Sequence, residues 1–367
     1  MNQGYKEIVW EKIKSDVFVI AEIGKNFIQI QEERSILEYL ENAKSLVRAA
    51  KDTGVDAVKF QTHTLEDEQL NIPVISPHFK AGDRYAWVSR NDRSTPFDTF
   101  WKPLKEYCDE LGILFFSTPM SRGAAQKLTP LDLPLWKLGS GDVQDFVCLD
   151  YICKLGQPII ISTGMVSFEE LDRVVSFIIA RNTKLIILYC ISKYPCSSEE
   201  FNLSTIEYLR ERYPQCIIGF SDHSIGYDVD LAAVKLGAKI IEKHFSFDRG
   251  LWGADHKVSM MPHETEEMVH LIRSHAWENI DVMKFYGEKT KELEGAKNEF
   301  RPYFHKSLMA GQDILIGTIL TAPMLYAMRP QIYAEGLSSH EYENVIGMRV
   351  TRNLKKFDPI QYDILEK

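Results

Sequence analysis

Eight short apolar runs recur along the first two-thirds of this chain, at 17–21, 55–60, 113–116, 135–138, 158–161, 185–189, 217–220 and 239–242. A helical pattern follows most of them. Ser35 to Ala50 carries Leu37, Leu40, Ala43, Leu46 and Val47 on one face, and Phe97 to Leu111 is helical up to a stop at Gly112. Only the intervals 118–135 and 139–158 are crowded for a full helix. Short apolar runs alternating with helices read as parallel strands buried on both faces. Eight such units in about 285 residues predict a (β/α)8 barrel of the TIM type rather than an open doubly wound sheet.

Nearly every strand ends in a polar or small residue: Glu22, Lys59, Thr118, Ser140, Thr163, Ser192, His223 and His244. In a parallel barrel these ends share one face, where ligands bind. Lys59 and Lys137 stand inside apolar strands, and a buried lysine needs an anion, so a phosphate or carboxylate is expected between them. His223 and His244 lie just past neighbouring strand ends and can converge on one metal ion. Asp222 and Glu242 beside them are expected to fix the imidazole tautomers. The polar stretch from Thr62 to Pro96, broken by Pro73, Pro77 and Gly82, is too long for a neutral connection and reads as a lid or substrate loop.

The barrel is expected to occupy residues 1–286, ending in a helix from Val269 to Phe285. Residues 287–304 are charged and poor in branched apolar side chains, a linker by composition. From His305 to Lys367 the chain turns to short β-like pieces separated by turns, a small second domain. No tandem repeat is evident. A net charge of −9 argues against nucleic acid as a partner, although a locally basic pocket remains possible. No apolar run approaches the ~20 residues that span a membrane, and the first residues lack a signal-peptide layout. The six scattered cysteines fit reduced thiols in a cytoplasmic enzyme; Cys190 and Cys196 flank a loop of interest, but a catalytic thiol is not expected there.

Several motifs fall at these strand ends: Ala21-Glu22-Ile23-Gly24-x-Asn26, Asp56-Ala57-Val58-Lys59-Phe60-Gln61, Ser117-Thr118-Pro119 and Trp136-Lys137-Leu138-Gly139-Ser140-Gly141-Asp142. Ser162-Thr163-Gly164-Met165, Tyr194-Pro195, Gly219-Phe220-Ser221-Asp222-His223, Glu242-Lys243-His244-Phe245 and Gly253-Ala254-Asp255-His256 continue the series. With them the chain resembles the sialic acid synthase family, the phosphoenolpyruvate-dependent nonulosonic acid synthases. Its tail, with Met328-Arg329-Pro330 and Ile346-Gly347-Met348, resembles that family's β-rich antifreeze-like (SAF) domain.

The resemblance implies condensation of phosphoenolpyruvate with an open-chain N-acetylated amino sugar. Mn²⁺ or Mg²⁺ would sit on His223 and His244, and Glu22 beside the reacting carbons. Lys59, Thr118, Lys137, Ser140, Ser192 and Ser221 match the phosphoenolpyruvate cradle; Asn26, Tyr194 and Asp255 match sugar-side positions. Arg329 matches an arginine that reaches into the partner's barrel, which implies a domain-swapped homodimer. The chain departs from the family pattern at Phe27, Ile28-Gln29, Tyr189 and Ser192. Ser192 falls at the cradle's edge; the others are expected on the sugar side or its supports, where they bear on the acceptor. N-acetylmannosamine is the default acceptor, with a diacetamido-trideoxyhexose, giving legionaminic or pseudaminic acid, also open. A metal-dependent aldolase or hydrolase would explain the histidines but not the strand lysines, and a lapsed sugar-binding protein would not keep Glu22, Lys59, Lys137, His223 and His244 together.

Overall fold

A computed structural model describes residues 3–75, 77, 82–197, 200–288, 293 and 295–367. Eight parallel strands form the wall: β1 (Phe18–Gly24), β2 (Ala57–Thr62), β3 (Leu114–Pro119), β4 (Trp136–Leu138), β5 (Ile159–Ser162), β6 (Leu185–Cys190), β7 (Ile217–Asp222) and β8 (Ile240–His244). Their order, β3-β2-β1-β8-β7-β6-β5-β4, wraps the last strand onto the first, and only the β3–β4 seam lacks a hydrogen-bonded ladder. The eight expected strands are all present, each within a few residues of the sequence reading. Among the described residues no helix is long and apolar enough to cross a membrane.

The helices up to residue 273 are α1 (Gln3–Ser15), α2 (Ile36–Asp52), α3 (Leu65–Glu68), α4 (Arg84–Ser94), α5 (Lys102–Leu111), α6 (Arg122–Leu128), α7 (Phe146–Leu155), α8 (Phe168–Ile179), α9 (Ser204–Arg212), α10 (Asp228–Lys235) and α11 (Pro262–Arg273), and short helical turns follow. Helix α2 starts at a capping box between Ser35 and Glu38 and buries Leu40, Ala43, Leu46 and Val47, as its periodicity predicts. Leu37 instead points to solvent, 66% exposed. The crowded intervals do hold helices, α6 being short and α7 full. The 62–96 segment is not a bare loop either: it carries α3 and α4, while residues 76 and 78–81 lie outside the described ones.

Inward-facing strand positions start apolar and turn polar toward the carboxyl ends. Phe18, Ile20, Ala57, Phe116, Leu135, Ile160, Ile186, Leu188 and Ile240 form one buried cluster at the amino-terminal end of the barrel. Two residues further along their strands stand Glu22, Lys59, Lys137, Ser162, Cys190 and Glu242. Helix α1, not foreseen in the sequence, adds Val9 and Ile13 to the same cluster and so closes the barrel floor. Gly219 lies where a Cβ would strike Leu188 and the Ile240 backbone, so only glycine fits at that level.

The C-terminal unit contains β9 (Ser307–Ala310) paired antiparallel with β10 (Leu325–Met328), and β11 (Arg349–Val350) paired with β12 (Leu365–Glu366). Here a repeat exists where the sequence suggested none. Ile314 and Leu354 bridge each other, and Met309↔Pro359 mirrors Ile319↔Arg349. The turn residues Gly317 (φ 83°) and Phe357 (φ 72°) and the short 3₁₀ turns Ala322–Met324 and Tyr362–Ile364 stand at the same forty-residue offset. The repeat keeps conformation while changing residues, even to a phenylalanine at a glycine position, and so leaves little to read as sequence.

The floor can be tested directly. Ile13→Ala removes a fully buried side chain packed against the barrel interior and is expected to cost about 2–5 kcal/mol in urea unfolding. A cost under about 0.5 kcal/mol, the range of a surface change, would show that α1 does not seal the barrel.

Candidate active site

The strand registers set the site's geometry. Glu22 of β1 lies opposite Lys59 of β2 on one side and His244 of β8 on the other. Ser221 of β7 lies opposite Glu242 of β8 and Cys190 of β6. One cavity at the carboxyl ends of the strands is lined by Glu22, Lys59, Thr118, Lys137, Ser140, Ser192, Tyr194, Ser221, His223, His244 and Asp255. These are all but two of the residues marked in the sequence.

At its base, two lysines and two carboxylates neutralise one another. Lys59 Nζ is 2.5 Å from Glu22 and 3.7 Å from Glu242, and it donates to Thr118 Oγ1 at 3.2 Å. Lys137 Nζ donates to Ser162 Oγ at 2.7 Å and lies 3.5 Å from Glu242. The expected anion between the lysines is therefore the protein's own Glu242. Burial opposes charge on both lysines. Glu22 and Glu242 overcome this at Lys59 and hold it above its ordinary value, whereas Lys137 stays below. Burial, reinforced by Glu242 against the pull of Lys59, raises Glu22.

The carboxylates beside the histidines do not fix their tautomers. Glu242 serves the lysines and Ser221, and Asp222 binds Lys243 and Ser224. His223 Nδ1 instead donates to the Ile191 carbonyl at 2.8 Å, which leaves Nε2 as its free acceptor. The His223 and His244 rings are 5.5 Å apart, and Tyr194 stacks on His223 at 4.1 Å. Burial, helped by the charges of His223 and Lys59, takes His244 down to about 3, so it is a neutral imidazole at ordinary pH. Two imidazoles with lone pairs toward one cavity are a donor set that fits a divalent ion, with the other coordination positions left to ligands. Cys190 Sγ lies 3.9 Å from His223 Nδ1 and also lines the cavity.

Two sequence assignments need correction. Asn26 does not line the cavity; its amide donates to the Phe245 carbonyl at 2.9 Å and to Ser259 at 3.0 Å, tying the exits of β1 and β8 together. Arg329 is fully buried behind the cavity, docked on the barrel of its own chain. Its guanidinium pairs with Asp142 and lies 3.9 Å from Glu68, and its backbone bridges to Gln69. The departures at Phe27 and Tyr189 are core packing as well. Phe27 sits among Tyr39, Phe60 and Phe100, and the Tyr189 hydroxyl donates to the Phe201 carbonyl at 2.5 Å. They carry no information about a sugar.

Residues not foreseen also line the cavity, among them Lys25, Gln61, His63, Arg84, Trp87, Phe300 and Phe304. Gln61 and Lys25 stood inside quoted motifs. Arg84 and Trp87 come from the long β2–β3 connection, as a substrate loop would supply. Phe300 and Phe304 come from the segment expected to be only a linker. That segment is fastened across the mouth by Asn298, which donates to the Ser192 carbonyl at 3.1 Å, and by Arg301 on Glu170.

Residues 46–281 match the NeuB family. The chain belongs to that family. It is 32% identical over 361 residues to human N-acetylneuraminate-9-phosphate synthase, covering 97% of this chain and 95% of the human one. To the N,N'-diacetyllegionaminic acid synthase of Campylobacter jejuni it is 31% identical over 330 residues, covering 87% and 94%. The crystal structure of spore coat polysaccharide biosynthesis protein SpsE from Bacillus subtilis superposes with a TM-score of 0.76 at 29% identity over 96% of both chains. This NeuB-family chain is thus a synthase.

A buried charge network ties its cavity to the C-terminal unit. His63 Nδ1 donates to Glu68 at 2.8 Å, Glu68 faces Arg329, and Arg329 shares Asp142 with Lys306, which also holds Asp145 at 2.7 Å. Burial works against the Glu68 carboxylate, but His63, Arg329 and Lys306 bring it down to about 2. Because that lies below the unfolded value of 4.5, its contribution is complete above about pH 4.5 and drains away as pH falls toward 2. We expect a loss on the order of 3 kcal/mol across that window in urea unfolding, beyond what Glu68→Gln shows. Equal slopes for both proteins would remove Glu68 from the network.

Proposed function

We propose that this synthase joins C3 of phosphoenolpyruvate to the aldehyde carbon of an open-chain N-acetylated amino sugar. Water adds at C2, the C2–O–phosphate bond breaks, the aldehyde oxygen takes up a proton, and phosphate leaves with a nine-carbon sugar acid. N-acetylmannosamine is the default acceptor. The observation that carries the reading is the pair of strand lysines inside a ring of hydroxyls, facing the same cavity as two free imidazole nitrogens.

Lys59 and Lys137 meet Glu242 at distances longer than direct hydrogen bonds, so each ammonium keeps donors for an incoming phosphate or carboxylate. Ser140, Ser192 and Ser221 add hydroxyl donors around them. Gly164 donates its N–H to Ser140 Oγ at 3.1 Å, and a Cβ there would collide with Ser192 and Ser140, so the cradle requires a bare backbone at that point. Glu22, raised by burial, is a carboxyl able to hold the proton that the aldehyde oxygen needs, and Gln61 steadies it at 2.8 Å. Tyr194 and Asp255 face the acceptor.

His223 and His244 would hold Mn²⁺ or Mg²⁺, which supplies Lewis acidity to polarise the aldehyde. The proposed assembly is a domain-swapped homodimer whose C-terminal units, read as antifreeze-like, exchange places so that Arg329 reaches the partner's barrel; the resemblance supports it.

Phosphate release from phosphoenolpyruvate with Mn²⁺, across a panel of N-acetylated and diacetamido amino sugars, tests the reaction. Release that depends on one sugar is expected, and His223→Ala or His244→Ala should abolish it. Gly164→Ala should raise the KM for phosphoenolpyruvate at least about tenfold, since a cradle hydroxyl bonded to a charged group contributes about 1.5–3 kcal/mol. Full metal-dependent activity in either histidine variant would end the metal assignment, and an unchanged KM would end that of the cradle.

A further inference from the structure

The outward face of β7 and β8 turns from apolar to charged just below the two histidines. Phe220 and Ile241 pair in register and are fully buried in the layer between strands and helices. At the next outward position on each strand stand Asp222 and Lys243, again opposite each other and only 1% and 3% exposed. Lys243 Nζ pairs with Asp222 and lies 3.2 Å from Asp230 of α10. It also donates to the Gly226 carbonyl at 2.6 Å and to Ser224 Oγ at 3.3 Å. Asp222 in turn accepts from the Ser224 N–H at 2.8 Å and from its hydroxyl at 2.7 Å. One ammonium on β8 thus reaches β7, the loop after it and the next helix. Burial, reinforced by Asp222 against the pull of Lys243, holds the Asp230 carboxyl well above its usual range, so one ammonium balances one carboxylate.

Packing does not require this cluster. A buried ion pair is often no more stable than an apolar pair of similar volume, because desolvation offsets the attraction. What an apolar pair cannot do is hold Ser224 and Gly226, which lie between His223 and the start of α10. Asp222 and Lys243 immediately precede His223 and His244, so the cluster joins the two strand ends one residue below the imidazoles. The rings differ in what orients them. His223 Nδ1 is fixed by its bond to the Ile191 carbonyl, whereas His244 Nδ1 is buried without a hydrogen-bond partner. A metal-binding imidazole is ordinarily aimed by a bond from its second nitrogen. His244 instead takes its place from the backbone of β8, which Lys243 ties to β7 at that level.

Resting on the metal assignment proposed above, we propose that Lys243 and Asp222, with Ser224 and Asp230, are positioning residues that set the spacing of the His223 and His244 rings and thereby the affinity for a divalent ion. None of the four lines the cavity, so they act through the backbone and touch neither ion nor substrate. Two ligands already held at one spacing bind an ion without first giving up the freedom of their strand ends. The carboxylate beside His223 therefore matters to the site without orienting the imidazole itself.

The test titrates the full chain with Mn²⁺ alone, reading the unbound ion by electron paramagnetic resonance, beside thermal unfolding of the same proteins without metal. The wild-type chain is expected to bind one ion, and His223→Ala to lose it. The paired variant Asp222→Asn/Lys243→Met removes both charges together and keeps the buried volume. It is expected to unfold within about 4 °C of the wild type. Its Mn²⁺ affinity should nevertheless fall about 10–100-fold, the effect of losing a partner that aims a metal ligand. Ser224→Ala, a milder change in the same loop, should weaken binding about 3–10-fold, and it decides the matter if the paired variant does not fold. Wild-type affinity in the folded paired variant, or in Ser224→Ala where that variant decides, overturns the positioning role and leaves the metal assignment standing. Weaker binding accompanied by a fall of more than about 10 °C in unfolding temperature assigns the cluster to stability and overturns the role as well. No binding by the wild type, or binding that survives His223→Ala, removes the metal assignment and the positioning role with it.

Discussion

Everything at the mouth of this barrel follows from having put two ammonium groups where water cannot reach them. Lys59 and Lys137 rise from the same inward rows that are leucine, isoleucine and phenylalanine one level below. Lone charges there would cost more than the fold can supply, so Glu22 and Glu242 must come from neighbouring strands at the same height. The parallel register delivers them: one residue of slip in β1 would turn Glu22 out of the barrel, and the same slip in β8 would turn out Glu242. Charge balance at the top of the barrel and strand register in its wall are one constraint seen twice.

Much of the fold could be read in advance because a parallel barrel writes itself as strand, helix and turn with few exceptions. Helix α1 could not. Among the described residues its interior contacts come from Val9 and Ile13, with Trp10 packed beside them, in a segment rich in lysine and glutamate, so no broad apolar face announced that it would pack on the barrel. The C-terminal repeat was hidden for a different reason. Its halves agree in backbone path and turn position, and those depend on φ and hydrogen bonding more than on residue identity.

The site divides along the same line. Residues on strands were legible, since a polar group at an inward position near a carboxyl end has nowhere to point but the cavity. Asn26 misled because a short amide just past β1 is equally suited to bonding backbone, and it ties Phe245 instead. Arg329 misled because a buried arginine satisfies its charge wherever carboxylates wait, and Asp142 in the cavity wall and Glu68 behind it hold Arg329 outside the lining. Lys25, Arg84 and Phe304 arrive from loops and from the fastened segment before β9, where no periodicity fixes direction.

The joint between barrel and C-terminal unit has a further consequence. Asp142, Asp145 and Glu68 belong to the barrel, yet the cations that answer them, Lys306 and Arg329, belong to the C-terminal unit, and all five are withdrawn from solvent. Salt screens exposed pairs and leaves such a joint almost untouched. A barrel cut free before His305 would therefore leave Asp142 and Asp145 buried without their cations and Glu68 with His63 alone, beside the cavity that Asp142 lines. The C-terminal unit is in that sense the barrel's counter-ion, and the smallest piece of this chain able to fold correctly includes it.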